Sequence, residues 1–228
     1  MMTSLEKMID HTLLKPNVTD QQILQLCEEA RQYGFASVCV NPCYVRLAAD
    51  ALRDSGVKIC TVIGFPLGAT TTESKLFEAA QAVQNGADEL DYVLNISDVL
   101  NGRYELVKQE MEQFVQFRAN SSKPVLIKVI LETCYLTDEQ IVKVCKLAKE
   151  AGIDFVKTST GFGSGGATKE HVRIMRETVG SKVGVKASGG IRTYEDCVAM
   201  VEAGANRIGA SASVAIVTRG SSDRQSAY

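Results

Sequence analysis

One local pattern recurs along this chain and restricts its fold more than any other feature: a capped helix, a glycine and then a short apolar strand. A polar capping residue and an apolar face predict each helix. Glycine then ends the helix, because it adopts the left-handed conformation without strain. The helices are predicted to begin at Thr19, Thr70, Thr137 and Thr193, to stop at Gly34, Gly86, Gly152 and Gly204, and to precede ASVCV, ELDYVL, DFVKT and NRIGA.

Eight strands are predicted, and most are apolar and β-branched, as is typical of parallel strands covered by helices. Eight such units in 228 residues favour an α/β fold, a (β/α)8 TIM barrel formed by one domain over residues 1–217. An open doubly wound sheet is the alternative, but no G-x-G-x-x-G follows the first strand and no P-loop occurs. The predicted strands are 8–13, 37–40, 58–63, 89–94, 125–131, 155–158, 183–187 and 207–209.

Composition excludes several classes of function. The net charge is -2 and no long basic run occurs, so we expect no nucleic-acid partner. The sequence has neither a leader pattern nor an apolar run long enough to cross a membrane, so we expect no membrane partner. Seven scattered cysteines make an odd number, which argues against a disulfide framework. These features predict a cytoplasmic protein.

Polar residues cluster where the predicted strands end, which is where (β/α)8 barrels carry their chemistry. Three lysines are the sharpest signal, since each lies in an apolar strand and 29 residues from the next. A buried lysine needs a partner or a lowered pKa. Solvent-facing lysines are the alternative and would be favoured for a single one, but not for three on consecutive strands. The polar strand-end residues are Asp10, Thr12, Cys39, Asn41, Asp91, Asn95, Lys128, Glu132, Lys157 and Lys186.

Converging lysines point to amine chemistry on a carbonyl compound. A lysine with a lowered pKa attacks carbonyl carbons and forms a Schiff base, and a second ammonium nearby favours the neutral amine. Asp91 and a water molecule can then carry protons while a carbon–carbon bond breaks or forms. We expect no metal and no other cofactor, because His11 and His171 are the only histidines and no H-x-x-x-H or C-x-x-C pair exists. This reasoning does not rank Lys157 above Lys186.

Three loops rich in glycine and serine predict a phosphate site: TGFGSGG, SGGIRT and GASAS, after the last three strands. Such loops present backbone N–H groups to an anion, and barrels often hold phosphate after strands seven and eight. Each cluster alone would be read as a tight turn. Three adjacent clusters, one of them with Arg192, favour phosphate and thus a compact phosphorylated sugar or aldehyde.

The sequence resembles the deoxyribose-phosphate aldolases from about Ile9 to Ser213. The motifs that carry the resemblance are IDHTLLKP, SVCVNP, VIGFPLGA, GADELDYVLNI, IKVILET, FVKTSTGF, VGVKASGGIRT and RIGASAS. The resemblance implies a metal-free class I aldolase, a lyase on a (β/α)8 barrel, acting in deoxyribose phosphate catabolism. It would reversibly cleave 2-deoxy-D-ribose 5-phosphate to D-glyceraldehyde 3-phosphate and acetaldehyde, as a homodimer.

The resemblance also implies roles for single residues. Lys157 would form the Schiff base, Lys186 would favour its neutral form, Asp91 would relay protons, and Lys128 would be a supporting charge. Phe162 and Ala212 depart from members that carry Lys and Ser there, so backbone donors would hold more of the phosphate. The implied phosphate residues are Gly161, Ser188, Gly189, Gly190, Gly209 and Ser211, and those beside the sugar are Thr12, Cys39 and Thr158.

The polar segment 218–228 has no helical pattern and is interpreted as a disordered tail. A sharper hypothesis is that it folds over the barrel mouth, where Tyr228 would assist proton transfer. Two other functions stay open: a phosphosugar isomerase or epimerase, which needs no Schiff base, and a non-catalytic sugar-phosphate binding protein.

Overall fold

Eight parallel strands close into a barrel in chain order, with β8 paired to β1. The computed structural model describes residues 4–219, so Tyr228 lies outside the described residues. The prediction of a (β/α)8 barrel is confirmed, and every predicted strand bound is within one residue of the observed one. The strands are β1 (Ile9–Leu13), β2 (Ser37–Val40), β3 (Lys58–Ile63), β4 (Glu89–Val93), β5 (Leu126–Ile130), β6 (Phe155–Lys157), β7 (Gly184–Ser188) and β8 (Arg207–Ala210).

Helices surround the barrel, and their termini follow the predicted capping chemistry. Thr19 and Thr137 each cap a helix through a reciprocal pair of hydrogen bonds with a glutamine, and Thr193 does so with Asp196. Gly34 and Gly152 end helices in the left-handed conformation. The helices are α1 (Asp20–Tyr33), α2 (Val45–Ala51), α3 (Thr72–Gln84), α4 (Ile96–Leu100), α5 (Tyr104–Ala119), α6 (Asp138–Ala151), α7 (Lys169–Val179), α8 (Tyr194–Glu202) and α9 (Ser213–Thr218).

Three local predictions are wrong. The cap of α3 is Thr71, whose hydroxyl accepts from Ser74 N, and not Thr70. The buried face of α3 includes Lys75, which sequence reasoning overlooked. Gly86 and Gly204 follow the C-cap residues and are not caps themselves. The short α9 lies where a loop and the start of the tail were expected, because its apolar residue Ile216 is buried against the barrel.

Apolar side chains fill the space between the strands and the helices, whereas the barrel interior is polar. Alternate strand residues point to these two sides. The outward set packs as one continuous core, in which Tyr92 stacks on Phe114 with ring centroids 3.8 Å apart. The inward set includes the lysines and carboxylates that the sequence places at strand ends. Within residues 4–219, no helix is long and apolar enough to span a bilayer.

Candidate active site

Strand register places the three strand lysines next to each other inside the barrel. Asp91 on β4 lies opposite Lys128 on β5, and Lys157 on β6 lies opposite Lys186 on β7. All four side chains are buried, and Lys157 is 3% exposed while the others are fully enclosed. The alternative of solvent-facing lysines is therefore wrong for this chain.

The Asp91 carboxylate binds all three ammonium groups. Its Oδ1 accepts from Lys128 Nζ at 2.7 Å. Its Oδ2 accepts from Lys157 Nζ at 2.9 Å and from Lys186 Nζ at 2.8 Å. A single carboxylate thus holds Lys157 and Lys186 on one oxygen, which fixes a second positive charge beside the Lys157 amine.

Deeper in the barrel, three further charged residues complete the cluster. Asp10 Oδ2 accepts from Lys186 Nζ at 2.5 Å, and its Oδ1 lies 2.6 Å from Arg207 Nη1. Glu89 lies 2.6 Å from Lys128 Nζ and 2.9 Å from Arg207 Nη1. Sequence analysis noted Asp10 at a strand end without giving it a role, and it missed Glu89 and Arg207. The available signal was a charged residue within β1 and at the first position of β4 and of β8.

The charges of this cluster do not balance. It contains four cationic side chains, Lys128, Lys157, Lys186 and Arg207, and three carboxylates, Asp10, Glu89 and Asp91. Among the described residues, Lys128 and Lys186 each contact at least two carboxylates, whereas Lys157 contacts only that of Asp91. The structure thus separates Lys157 from Lys186, which the sequence could not do.

The ionisation of the other members follows from their neighbours. Burial alone would raise the pKa of Asp91, but the ammonium groups of Lys128, Lys157 and Lys186 hold it well below the usual carboxyl value. Asp10 is buried too, and Arg207 and Lys186 lower its pKa in the same way. Burial opposes the charge of Lys186, yet Asp10 and Asp91 raise its pKa. Lys186 therefore stays an ammonium ion.

Two cysteines line the same interior. Cys60 Sγ lies 3.2 Å from Asp91 Oδ1, and Lys128 Nζ donates to Cys60 Sγ at 3.4 Å. Burial raises the pKa of the Cys60 thiol, so the thiol can donate to the carboxylate. Cys39 lies opposite Cys60 in the β2–β3 register and is fully buried.

Two sets of donor atoms in the described part of the chain are close enough to share a cation: Cys39, Cys60 and Asp91, and Asp10, Cys60 and Glu89. Their carboxylates already bind ammonium or guanidinium groups at 2.5–2.9 Å. A metal ion would have to displace these cations or lie against them, which electrostatic repulsion opposes.

The residues expected beside the sugar lie along the strand ends. Thr12 Oγ1 donates to Asp10 O at 2.8 Å and is buried with the rest of its side chain. Thr158, directly after Lys157, donates its hydroxyl to Ser188 O and accepts from Ser188 N, both at 3.1 Å. Thr158 therefore ties β6 to β7 at the level of Lys157 and Lys186.

Two of the glycine-rich loops are in contact. A Cβ on Gly166 would lie 2.2 Å from Gly189 O, so only glycine fits there. Ala167 N donates to that same oxygen at 3.0 Å, and Ser188 Oγ donates to Ser159 O at 2.6 Å. Gly161, Gly189 and Gly190 all have left-handed φ angles between +80° and +87°. The loops after β6 and β7 thus form one continuous backbone surface.

The last predicted loop adjoins the lysines. Gly209, on β8, lies so close to Lys186 that a Cβ there would be 3.0 Å from its Cε. Ser211 follows β8 and lines a cavity of about 250 Å³ beside β1. At the mouth, the Phe162 ring meets Phe65 edge-on with centroids 5.3 Å apart, and 42% of Phe162 is exposed. Phe162 therefore forms an apolar wall.

Comparison with known proteins identifies the family to which the chain belongs. Residues 5–221 match the model of a family described as "DeoC/LacD family aldolase". The chain is 62% identical over 214 residues to a deoxyribose-phosphate aldolase of Caldanaerobacter subterraneus subsp. tengcongensis, covering 94% of this chain and 92% of that protein. It is 58% identical over 215 residues to a deoxyribose-phosphate aldolase of Thermococcus gammatolerans, covering 93% and 95%.

A solved structure has the same fold. The deoxyribose phosphate aldolase from Aeropyrum pernix, described as a unique tetrameric structure, superposes with a TM-score of 0.87 at 37% identity. The match covers 94% of this chain and 89% of that one.

Proposed function

Since this chain belongs to the DeoC/LacD family of aldolases, we propose that it cleaves 2-deoxy-D-ribose 5-phosphate reversibly to D-glyceraldehyde 3-phosphate and acetaldehyde through a Schiff base on Lys157. The observation that carries the choice of lysine is the charge surplus of the buried cluster. Lys157 is its one ammonium with a single carboxylate contact among residues 4–219. It is also the member of the lysine trio that is not fully enclosed.

In the cleavage direction, the neutral amine of Lys157 attacks the C1 aldehyde of the open-chain sugar. Loss of water gives a protonated imine, and removal of the C3 hydroxyl proton breaks the C2–C3 bond. D-Glyceraldehyde 3-phosphate leaves, while the electron pair of the broken bond forms an enamine. Protonation of C2 and hydrolysis by water then release acetaldehyde and regenerate Lys157.

The neighbours of Lys157 have separate tasks in this proposal. Lys186, held as an ammonium by Asp10 and Asp91, favours the neutral form of Lys157 by repulsion. Asp91 contacts both lysines and exchanges protons with the substrate through water. Lys128 shares Asp91 and keeps its carboxylate ionised.

The phosphate lies, in this proposal, across the loops after β6, β7 and β8. Backbone N–H groups near Gly161, Ser188, Gly189, Gly190, Gly209 and Ser211 face the anion, while Thr12, Cys39 and Thr158 line the sugar part. Contact between the loops after β6 and β7 supports a shared anion site. Phe162 offers no charge, so backbone donors carry the binding.

Borohydride trapping tests the proposal. Incubation with acetaldehyde and sodium borohydride, followed by peptide mass spectrometry, should find an N-ethyl group on Lys157. Lys157→Met should abolish the adduct and Lys186→Met should weaken it. An adduct on Lys186 would reverse the two roles. Isomerisation or epimerisation of a sugar phosphate without any adduct would favour an isomerase or epimerase.

We also propose that residues 1–217 form the single domain, with residues 218–228 as a polar tail. If Tyr228 assists proton transfer, deletion of this last residue should slow exchange of the acetaldehyde methyl protons with deuterium oxide. An unchanged exchange rate would leave the tail without a catalytic role.

We also propose that the protein is cytoplasmic and forms a homodimer. The Aeropyrum pernix relative is described as a tetramer, so the alternative to a dimer is an assembly of four chains. Light scattering after size-exclusion chromatography should give twice the chain mass of 24.7 kDa. A mass of one or four chains would contradict the dimer.

A further inference from the structure

Glu132 has an unusual backbone. It follows β5 and has φ 55° and ψ 63°, in the left-handed region that disfavours residues with a side chain. Asp54 and Arg219 are the other non-glycine residues with positive φ in the described chain, and both are exposed, whereas Glu132 is buried. Glycine would adopt this conformation at lower cost, so the glutamate side chain must offset the strain.

Its carboxylate binds the loop that follows Lys157. Thr160 N donates to both carboxylate oxygens, at 3.2 and 3.3 Å, and Thr160 Oγ1 donates to Oε2. Both donors are buried with the acceptor. Hydrogen bonds to a carboxylate are stronger than neutral ones, so Thr160 is held firmly.

The contact continues along the loop. Thr160 Oγ1 accepts from Phe162 N at 3.0 Å, and this bond closes the turn at Gly161. On the far side, a Cβ on Gly163 would lie 2.9 Å from Cys134 Sγ and 3.1 Å from Glu132 Cδ, so this glycine lets the loop pack on both side chains. At least one glycine of this loop is therefore explained by packing on Glu132 and Cys134 rather than by substrate binding.

The residues on either side of Glu132 bind the catalytic strand. Leu131 N donates to Lys157 O, and Thr133 N donates to Thr158 O, both at 2.9 Å. The end of β5 thus holds the backbone at Lys157 through its own backbone, and holds the loop beyond it through the Glu132 side chain. Removal of the side chain alone leaves the first set of bonds intact.

We propose that Glu132 is a positioning residue that sets the phosphate-binding shape of the loop after β6 and thereby the preference for phosphorylated substrates. This inference rests on the proposed function and names the group that prepares its phosphate site. Glu132 acts through Thr160 and Gly161 and does not touch the reacting carbons. Its loss should therefore impair the use of the phosphate group and spare amine chemistry at Lys157.

The test compares two acceptor aldehydes on the same enzyme preparation. With acetaldehyde as donor, kcat/KM is measured for D-glyceraldehyde 3-phosphate and for D-glyceraldehyde, and their ratio expresses the preference for phosphate. Glu132→Ala and Glu132→Gly should lower the ratio by about tenfold or more, the loss expected for a charge-assisted hydrogen bond. Partial unfolding scales both rates equally, so it cannot change the ratio.

Other variants separate the carboxylate from the strain. Glu132→Gly relieves the left-handed backbone, so an effect of strain alone would leave its ratio normal. Glu132→Gln should lower the ratio less, because its amide oxygen can still accept from Thr160 N. Thr160→Val removes the hydroxyl that donates to Glu132 Oε2 and should also lower the ratio. This variant tests the proposal if the Glu132 variants do not fold. Glu139→Ala, an exposed carboxylate on α6, is the control and should leave the ratio unchanged.

The outcomes separate this inference from the proposed function. An acetaldehyde adduct at Lys157 together with an unchanged ratio in Glu132→Ala, Glu132→Gly and Thr160→Val would overturn the role of Glu132 alone. No adduct in the unsubstituted protein would overturn the proposed function and this inference with it. Loss of the adduct in Glu132→Gly, judged on folded protein, would place Glu132 in support of Lys157 and contradict a role confined to phosphate.

Discussion

Lys75 and Lys157 are both buried lysines that contact a carboxylate, yet their surroundings differ. Lys75, on α3, is fully buried outside the barrel and donates to Glu110 Oε2 at 2.8 Å. Thr72 Oγ1 donates to the same carboxylate oxygen at 3.1 Å. Lys157, inside the barrel, shares Asp91 with two other lysines.

The difference shows that burial of a lysine is a poor guide to chemistry unless charge is counted. One ammonium faces one carboxylate at Lys75, so this pair carries no surplus charge. In the barrel, four cationic side chains face three carboxylates among the described residues, which leaves one positive charge in surplus. A matched substitution by Met, an unbranched side chain one atom shorter than Lys, should therefore have opposite effects at the two sites.

Lys157→Met should produce the largest effect. The variant lacks the amine that forms the Schiff base, so kcat/KM for 2-deoxy-D-ribose 5-phosphate should fall by about 10⁴-fold or more. Its free energy of unfolding should not fall, because the change removes a surplus positive charge. Steady-state kinetics measure the loss of kcat/KM, and urea unfolding measures the free energy of unfolding. Retained turnover, or a large loss of stability, would break the contrast with Lys75.

Lys75→Met should reduce stability and spare activity. It leaves the Glu110 carboxylate buried without its ammonium partner, which costs about 3–5 kcal/mol. Urea unfolding should reveal this loss, while kcat/KM of the folded fraction stays near the unsubstituted value. Adding Glu110→Leu should recover much of the stability, since a neutral apolar pair replaces the broken ion pair. No recovery in the double variant would assign the loss to packing rather than charge.

The contrast also indicates what the sequence can predict. Apolar strands of regular spacing define the barrel, and a lysine inside such a strand, as at Lys157, is visible without coordinates. The bonds of Asp10 to Arg207 and to Lys186 require barrel closure, since β1 meets β8 only in the folded chain. Lys75 was overlooked because a charged residue does not belong to the apolar pattern that marks a buried helix face, and only the packing of α3 shows that it is buried.

Lys186→Met should have an intermediate effect. Without this ammonium, three cations face three carboxylates while Lys157 is still protonated, so repulsion no longer favours its neutral form. We expect kcat/KM to fall by roughly 10²-fold and the remaining activity to increase at alkaline pH. A pH–rate profile against that of the unsubstituted protein measures both. A rate that falls without any change of profile would limit Lys186 to substrate binding.

The pH dependence of stability should show the smallest effect, with opposite signs for the two sites. Burial raises the pKa of Glu110 above 4.5, although Lys75 lowers it. The contribution of Glu110 to the free energy of unfolding is therefore complete below pH 4.5 and is lost as the pH rises through the pKa of Glu110 in the folded protein. For Asp10 and Asp91, burial alone would raise the pKa, but the surrounding cations lower it below 3.8. Their stabilisation is complete above 3.8 and is lost as the pH falls towards the folded values.

The free energy of unfolding, measured by urea titration at a series of pH values, should therefore pass through a shallow maximum between the two windows. Glu110→Gln removes the titrating group outside the barrel and should flatten the alkaline side of this maximum alone. A change confined to the acid side would mean that the two buried clusters are coupled through the strands between them. The loss of stability at acid pH belongs to Asp10 and Asp91, because their ion pairs with the barrel lysines and Arg207 are lost when the carboxylates take up protons.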